Sequence, residues 1–268
     1  MSALLESIDG RGVATLTLNR PERHNAFDDA LIAAMTAALK RLDGESGVRA
    51  VVLESFGASF CAGADIAWMK RAAEDSFEAN AADAGALAEL MQRLDLLSKP
   101  TLCLVQGPAL GGGVGLVACC DIAIASERAA FRLSETRLGL IPAVVGPYVI
   151  RAIGARQARR YFLTAESISA KRAKEIGLVH ETVTDGALGT ERNKLIEALL
   201  SGAPGAQAEA KALISTCQGR PIEAGLIQET ARRIAVRRAS PEGREGLSAF
   251  LEKRAPAWCR DLDGRNVS

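Results

Sequence analysis

Residues Gln106–Asp121 read QGPALGGGVGLVACCD, and the preceding Thr101–Val105 read TLCLV. The apolar run predicts a buried strand, the triplet Gly111, Gly112, Gly113 a turn, and the small residues after it a helix. Three consecutive glycines leave the backbone bare, so a partner can approach it closely. The first N–H groups of a helix have no intrahelical acceptor, so a ligand oxygen gaining negative charge can take their hydrogen bonds. Tight packing of a turn against a sheet is a second reading of the same glycines. A nucleotide-phosphate site is a third, but no Lys-Ser or Lys-Thr follows and Leu116 holds the sixth place of GxGxxG, so the stretch fits it poorly. An oxyanion site requires a second donor from elsewhere in the chain.

SFCAGAD, Ser59–Asp65, offers one. It is another glycine-centred loop, following the apolar Ala50–Leu53 and leading into Ile66–Arg71 and an alanine-rich helix up to Ser98. Two loops that each leave a buried strand and enter a helix can aim one backbone N–H apiece at a single oxygen.

Around these loops the chain reads as mixed α/β. Leu4–Ile8 and Val13–Asn19 predict two strands, and VATLTLN alternates as a half-buried strand should. Asp28 caps a helix carrying Leu31, Met35, Leu39 and Leu42 at near-helical spacing. Asp121–Ala125 is a strand, Ala130–Gly139 a polar loop carrying Glu135, and Val145–Thr164 a helix broken at Gly154. Ser169–Gly177 predicts a short helix and LVHETV a last strand. From Gly189 the pattern is wholly helical, so the chain divides into an α/β core, residues 1–190, and a helical region, residues 191–268.

The composition suits a soluble globular protein: 268 residues, 48% hydrophobic and 24% charged, enough to bury a large core. With 33 basic and 32 acidic residues the net charge is +1, which gives no general pull toward nucleic acid or membrane. MSALLESIDG lacks a basic segment followed by an apolar run, so no secretory signal is expected, and no stretch approaches the ~20 apolar residues of a membrane helix. Cys61, Cys103, Cys119, Cys120, Cys217 and Cys259 form no CxxC pattern, and His24 and His180 are the only histidines. A His/Cys metal site is not expected, and reduced thiols in a cytoplasmic protein are the economical reading.

LNRPERHNA, FCAGADI, QGPALGGG, CDIAIAS, SETRLGLIP and EGLSAFLEKR occur in this order from Leu18 to Arg254. Together they resemble the enoyl-CoA hydratase/isomerase (crotonase) family over nearly the whole chain. The resemblance implies a crotonase-like spiral of ββα units with a C-terminal helical region that builds homotrimers, commonly paired as homohexamers. It implies an acyl-CoA thioester substrate, with coenzyme A entering as part of that substrate and neither a metal nor a redox cofactor. The backbone N–H groups of Ala64 and Gly112 match the positions that hold the thioester oxygen, with Gly111 beside them. Ala26, Ala62, Asp65 and Ile66 match positions along the coenzyme, and Phe250 and Lys253 match positions reaching the coenzyme of a neighbouring subunit.

Hydratases of this family carry two glutamates, three residues after the oxyanion glycine and twenty beyond that; here the positions hold Gly115 and Glu135. A carboxyl group in an apolar pocket is held partly protonated and can both deliver and remove protons, so Glu135 is the expected general acid/base. A solvated loop glutamate is the other reading. Gly115 can do no chemistry; its expected contribution is space in the acyl pocket, which Gly115→Glu would fill.

AGADIAWM, GGGVGLVACCD and the stretch from Gly139 to Phe162 are most similar to the branch that hydrates 3-methylglutaconyl-CoA and related branched esters. A carboxylated acyl chain would then meet Arg132, Arg137 or Tyr148, unless these are ordinary surface residues. Trp68 and Met69 either wall the acyl pocket or pack. The resemblance thus implies a hydratase for a short branched enoyl-CoA, with a Δ3,Δ2-enoyl-CoA isomerase and a non-catalytic CoA-binding scaffold as rivals.

Overall fold

The computed structural model describes residues 2–259; the expectation for a helical region to residue 268 extends beyond them. Strand β2 (Val13–Leu18) pairs antiparallel with β1 (Leu4–Ile8) and parallel with β3 (Ala50–Ser55). Parallel pairing then continues through β4 (Thr101–Val105) and β6 (Ile122–Ser126) to β9 (Glu181–Val183), completing a six-stranded sheet. Every residue of β2 is buried, contrary to the half-buried strand its alternation predicts. The threonines are accommodated by partners rather than by water: Thr15 Oγ1 accepts from Arg192 and Thr17 Oγ1 donates to Glu54. A hydroxyl satisfied in this way can sit inside.

A second, smaller sheet orders β5 (Ala109–Leu110), β7 (Ala130–Arg132) and β8 (Ile168–Ser169). Single parallel bridges, Cys61 with Ala109 and Phe27 with Ala64, extend the same pairing back along the chain. Each turn of the spiral therefore lays one segment in the large sheet and one in the small sheet or its bridges before running into a helix. β2 and Phe27 lead to α1 (Asp29–Gly44); β3 and Cys61–Ala64 lead to α2 (Ile66–Glu74) and α3 (Phe77–Asp95); β4 and β5 lead to α4 (Gly112–Cys119). β6 and β7 lead through a single-turn helix, Glu135–Leu138, to α5 (Gly146–Thr164). The segment predicted as a plain loop, Ala130–Gly139, thus holds a strand and a helical turn, because β5 and β8 supply backbone partners from distant positions.

Local signals set the helix starts. Asp28, Asp65 and Ser76 accept from the first-turn N–H groups of α1, α2 and α3, the usual N-cap arrangement. Gly154, at φ 74° and ψ 153°, interrupts α5 where the sequence predicts a break. After α6 (Ala170–Glu175) come α7 (Leu188–Ser201), α8 (Pro204–Cys217), α9 (Ala224–Ala239) and α10 (Pro241–Leu251). Ile196 of α7 packs with Val13, Val52, Leu102, Leu104 and Ile124, covering one face of the large sheet. The other face packs against α1, α3 and α4 in the main core. α7 spans residue 190, so its first three residues, Leu188–Thr190, fall on the core side of that boundary, and Ile196, beyond it, packs into the core.

Candidate active site

The two glycine loops are stitched together by backbone bonds. Phe60 and Cys61 N–H donate to Pro108 O at 3.0 and 3.2 Å, and Leu110 N–H donates to Cys61 O at 2.8 Å. The first loop is also tied to the chain before α1: Phe27 N–H donates to Gly63 O and Asp65 N–H to Phe27 O, at 2.7 and 2.8 Å. In this parallel bridge Phe27 makes both bonds and Ala64 makes neither, so the Ala64 N–H faces away from the bridge. Gly112 is the first residue of α4, and its N–H precedes the first intrahelical bonds, Val114 and Gly115 N–H to Gly111 O. Among the described residues neither the Ala64 nor the Gly112 N–H has a hydrogen-bond acceptor.

The glycines of the second loop are required by what surrounds them. Gly111 has φ 47° and ψ −113°, a conformation that L side chains avoid, and a Cβ on it would stand 3.1 Å from Glu135 Oε1. A Cβ on Gly112 would meet the Phe27 ring at 2.8 Å, and one on Gly113 would meet Cys61 O at 2.6 Å. The Phe27 ring therefore packs directly under the helix start that carries the free N–H. The Cys61 thiol is buried, and burial pushes it up to about 12, which leaves no thiolate nucleophile at neutral pH.

Ala64 and Gly112 line a cavity of about 690 Å³ together with Ala62, Gly111 and Glu135. Trp68, Met69 and Ala72 of α2 and Asn80, Asp83 and Leu87 of α3 form one wall; Leu138 and the run from Leu140 to Val145 form another. Glu135 sits at the start of its helical turn, and its Oε2 is buried with no hydrogen-bond partner. Burial pushes its carboxyl above the ordinary range, outweighing its own backbone N–H. The cavity thus brings together two unpaired backbone donors and a carboxyl group that retains a proton more readily than usual. Such a set can stabilise an oxyanion and move a proton beside it.

Other predicted residues fall elsewhere. Gly115 does not leave space in the cavity: a Cβ there would stand 2.3 Å from Val145 Cγ1 and 3.2 Å from Met91 Cε. Val145 fills the place, so the expected room at Gly115 is corrected to a packed contact behind the lining. Arg132, Arg137 and Tyr148 are not among the residues lining the cavity; Tyr148 instead lies beneath the Arg151 guanidinium. Asp65 is a structural carboxylate that caps α2 and pairs with Arg20 and Arg23 at 3.3 and 3.4 Å. Burial pulls its carboxyl upward, yet the Ala67 N–H and the two arginines prevail and hold it below the ordinary range. Ala26 is buried, Ile66 is exposed, Phe250 is exposed near the end of α10, and Lys253 lies exposed just beyond that helix.

Phe27, Asp83 and Val145 line the cavity although the sequence does not single them out. Asn80, Asp83 and Leu87 share one face of α3 at i, i+3 and i+7, a pattern readable beforehand; nothing local announces Phe27 or Val145.

A spiral of ββα turns with donors from successive turns converging on one cavity is the crotonase fold. Solved and curated proteins agree. The family model described as Enoyl-CoA hydratase/isomerase matches residues 9–261. The crystal structure of an enoyl-CoA hydratase from Shewanella pealeana superposes with a TM-score of 0.93 at 46% identity, over 96% of each chain. The 2,3-dehydroadipyl-CoA hydratase of Escherichia coli is 34% identical over 99% of this chain and 100% of its own length. The 1,2-epoxyphenylacetyl-CoA isomerase of the same organism is 34% identical over 96% of this chain and 98% of its own. The chain belongs to the enoyl-CoA hydratase/isomerase family.

Proposed function

We propose that this enzyme hydrates a short, branched enoyl-CoA, with Glu135 as the sole acid/base and the Ala64 and Gly112 N–H groups as the oxyanion hole. The observation that carries this reading is the buried, unpartnered Oε2 of Glu135 in the same cavity as the two free N–H groups. The thioester oxygen accepts from both N–H groups, which stabilises the enolate as C2 gains charge. Loss of one such donor typically costs about 2.7–4 kcal/mol.

One carboxyl group can serve both ends of the addition. Its protonated oxygen gives a proton to C2 while its other oxygen takes one from the water that bonds C3, so Glu135 ends as it began. The raised proton affinity of its carboxyl favours the protonated starting state. The largely apolar lining supports a short, branched chain. The 3-methylglutaconyl type expected from sequence has less support, because the lining contains Asp83 and no lysine or arginine. Coenzyme A enters as part of the substrate, no metal or redox group takes part, and the enzyme works as a homotrimer or homohexamer.

Val145 packed against Gly115 favours a second reading, Δ3,Δ2-enoyl-CoA isomerisation. Without a second carboxylate at that place, shuttling one proton is the simpler task, and relatives carry both hydratase and isomerase names. A product assay across crotonyl-, 3-methylcrotonyl-, 3-methylglutaconyl- and 3-enoyl-CoA separates them. Hydration of 3-methylcrotonyl-CoA is expected. Migration of the 3-enoyl double bond with no hydration would replace the first reading by the second, and no turnover at all would leave a CoA-binding scaffold.

A further inference from the structure

The wall formed by α2 and α3 carries polar atoms that the proton chemistry does not use. Asp83 Oδ2 accepts from Trp68 Nε1 at 3.0 Å, which fixes the carboxylate and uses the only donor of the indole. Asn80 Nδ2 donates to the carbonyls of Ala72, Asp75 and Ser76 at 2.8, 3.3 and 3.2 Å, which holds the end of α2 against α3. Every side-chain donor on this wall is thus spent within the protein. Asp83 Oδ1 and Asn80 Oδ1 accept no hydrogen bond among the described residues, and both residues line the cavity. They lie one turn apart on α3. Among the described residues the wall's side chains thus keep unused acceptors and no unused donor, and one of those acceptors belongs to a carboxylate.

We infer that this wall selects acyl chains bearing a terminal hydrogen-bond donor, a hydroxyl or an ammonium, and rejects chains ending in a carboxylate. A donor on the chain satisfies Asp83 Oδ1 and Asn80 Oδ1 at the moment they lose water, whereas a terminal methyl leaves them unpaired. A second carboxylate meets like charge in a cavity poorly supplied with counter-ions, the repulsive element by which a pocket discriminates. Ser134 is the one hydroxyl in the lining, and it lies beside Glu135 rather than on this wall. The inference rests on the acyl-CoA reading of the cavity and adds which acyl chains enter it.

The test is calorimetric binding of four saturated coenzyme A conjugates that differ only at the chain end: pentanoyl, 5-hydroxypentanoyl, 5-aminopentanoyl and glutaryl, each amide-linked so that none can cyclise or react. Wild type is expected to bind the hydroxyl or ammonium form more tightly than pentanoyl, and glutaryl about tenfold more weakly. Asp83→Asn keeps an oxygen for Trp68 and removes the charge; the glutaryl-to-pentanoyl ratio of Kd values should fall about tenfold. Asn80→Leu serves as the second variant and should abolish the preference for the hydroxyl form. Tighter binding of hydroxyl than of ammonium would identify a neutral donor as the ligand, and the reverse a cation. Equal binding of glutaryl and pentanoyl by wild type, or an Asp83→Asn ratio equal to wild type, overturns the inference. Discrimination among the conjugates without turnover of any enoyl-CoA would leave the selectivity standing and remove the hydratase reading. Failure of all four to bind would remove both.

Discussion

Glu135 holds a carboxyl group where burial disfavours its charge, and that should appear in stability as well as in rate. Its folded pKa lies above its ordinary value of 4.5, so the folded state binds the proton more tightly than the unfolded state. Its stabilising share is fully present below the ordinary value and is lost as pH rises through the folded value. Glu135→Gln removes this dependence. Thermal melts should show the variant gaining Tm over wild type between about pH 5 and 8, with the gain shrinking toward pH 4, while turnover falls at least ~100-fold. Comparable turnover would take Glu135 out of the mechanism. Gly115 gives the opposite kind of expectation. A side chain there collides with Val145, so Gly115→Ala should cost about 1–3 kcal/mol by overpacking, and Val145→Ala in the same chain should return part of it, since the remaining Cβ still stands at 2.9 Å. Chemical denaturation of the two singles and the double checks the pair, since contacting residues couple. Gly115→Glu should lower the denaturation midpoint further than Gly115→Ala, since its longer side chain must pass the same Val145 and Met91 contacts.

At the scale of elements, most of the chain announces itself. Asp28 before Leu31, Met35 and Leu39 gives α1 its start and its buried face, and Gly154 marks the interruption of α5. Nothing lies within 4 Å of a Cβ placed on Gly154. The cost of Gly154→Ala is therefore backbone strain alone, about 1–3 kcal/mol, measurable as a lowered denaturation midpoint with unchanged slope. What stayed hidden depends on partners far along the chain. The alternation of β2 is true to a strand, but the face that carries Val13, Thr15 and Thr17 is covered as well, with Arg192 and Glu54 meeting the threonines. β7 is three residues long and exists because β5 and β8 flank it. The loop motifs carried Glu135, Ala64 and Gly112 as candidates, whereas Val145 as the occupant of the space beside Gly115 is a fact of tertiary packing that no local pattern encodes.

For the molecule as a whole, the sheet needs its helical region. Ile196 covers Val52, Leu102, Leu104 and Ile124. The Arg49 guanidinium, at the entrance to β3, donates to Leu200 O near the end of α7, to Gly202 O and to Trp258 O, and so ties the helical region to the sheet. Ile196→Ala should cost about 2–5 kcal/mol, read by denaturant unfolding. α8 to α10 leave the apolar residues Ile214, Ile227, Ile234, Leu247 and Phe250 exposed, as contacts between copies would need. Light scattering should return three or six times the 28.2 kDa of one chain; a monomer would remove the oligomer from the proposal. The stitching of the two glycine loops reaches furthest. The Cys61 and Leu110 amides that join the loops are locked in backbone bonds, while the neighbouring Ala64 and Gly112 amides are not. In deuterated water the first pair should keep their hydrogens until the spiral itself opens, and the second pair should surrender theirs almost at once. An oxygen that settled between the Ala64 and Gly112 amides would then leave its signature as slowed isotope uptake at those two positions, set against a frame that is slow to exchange throughout.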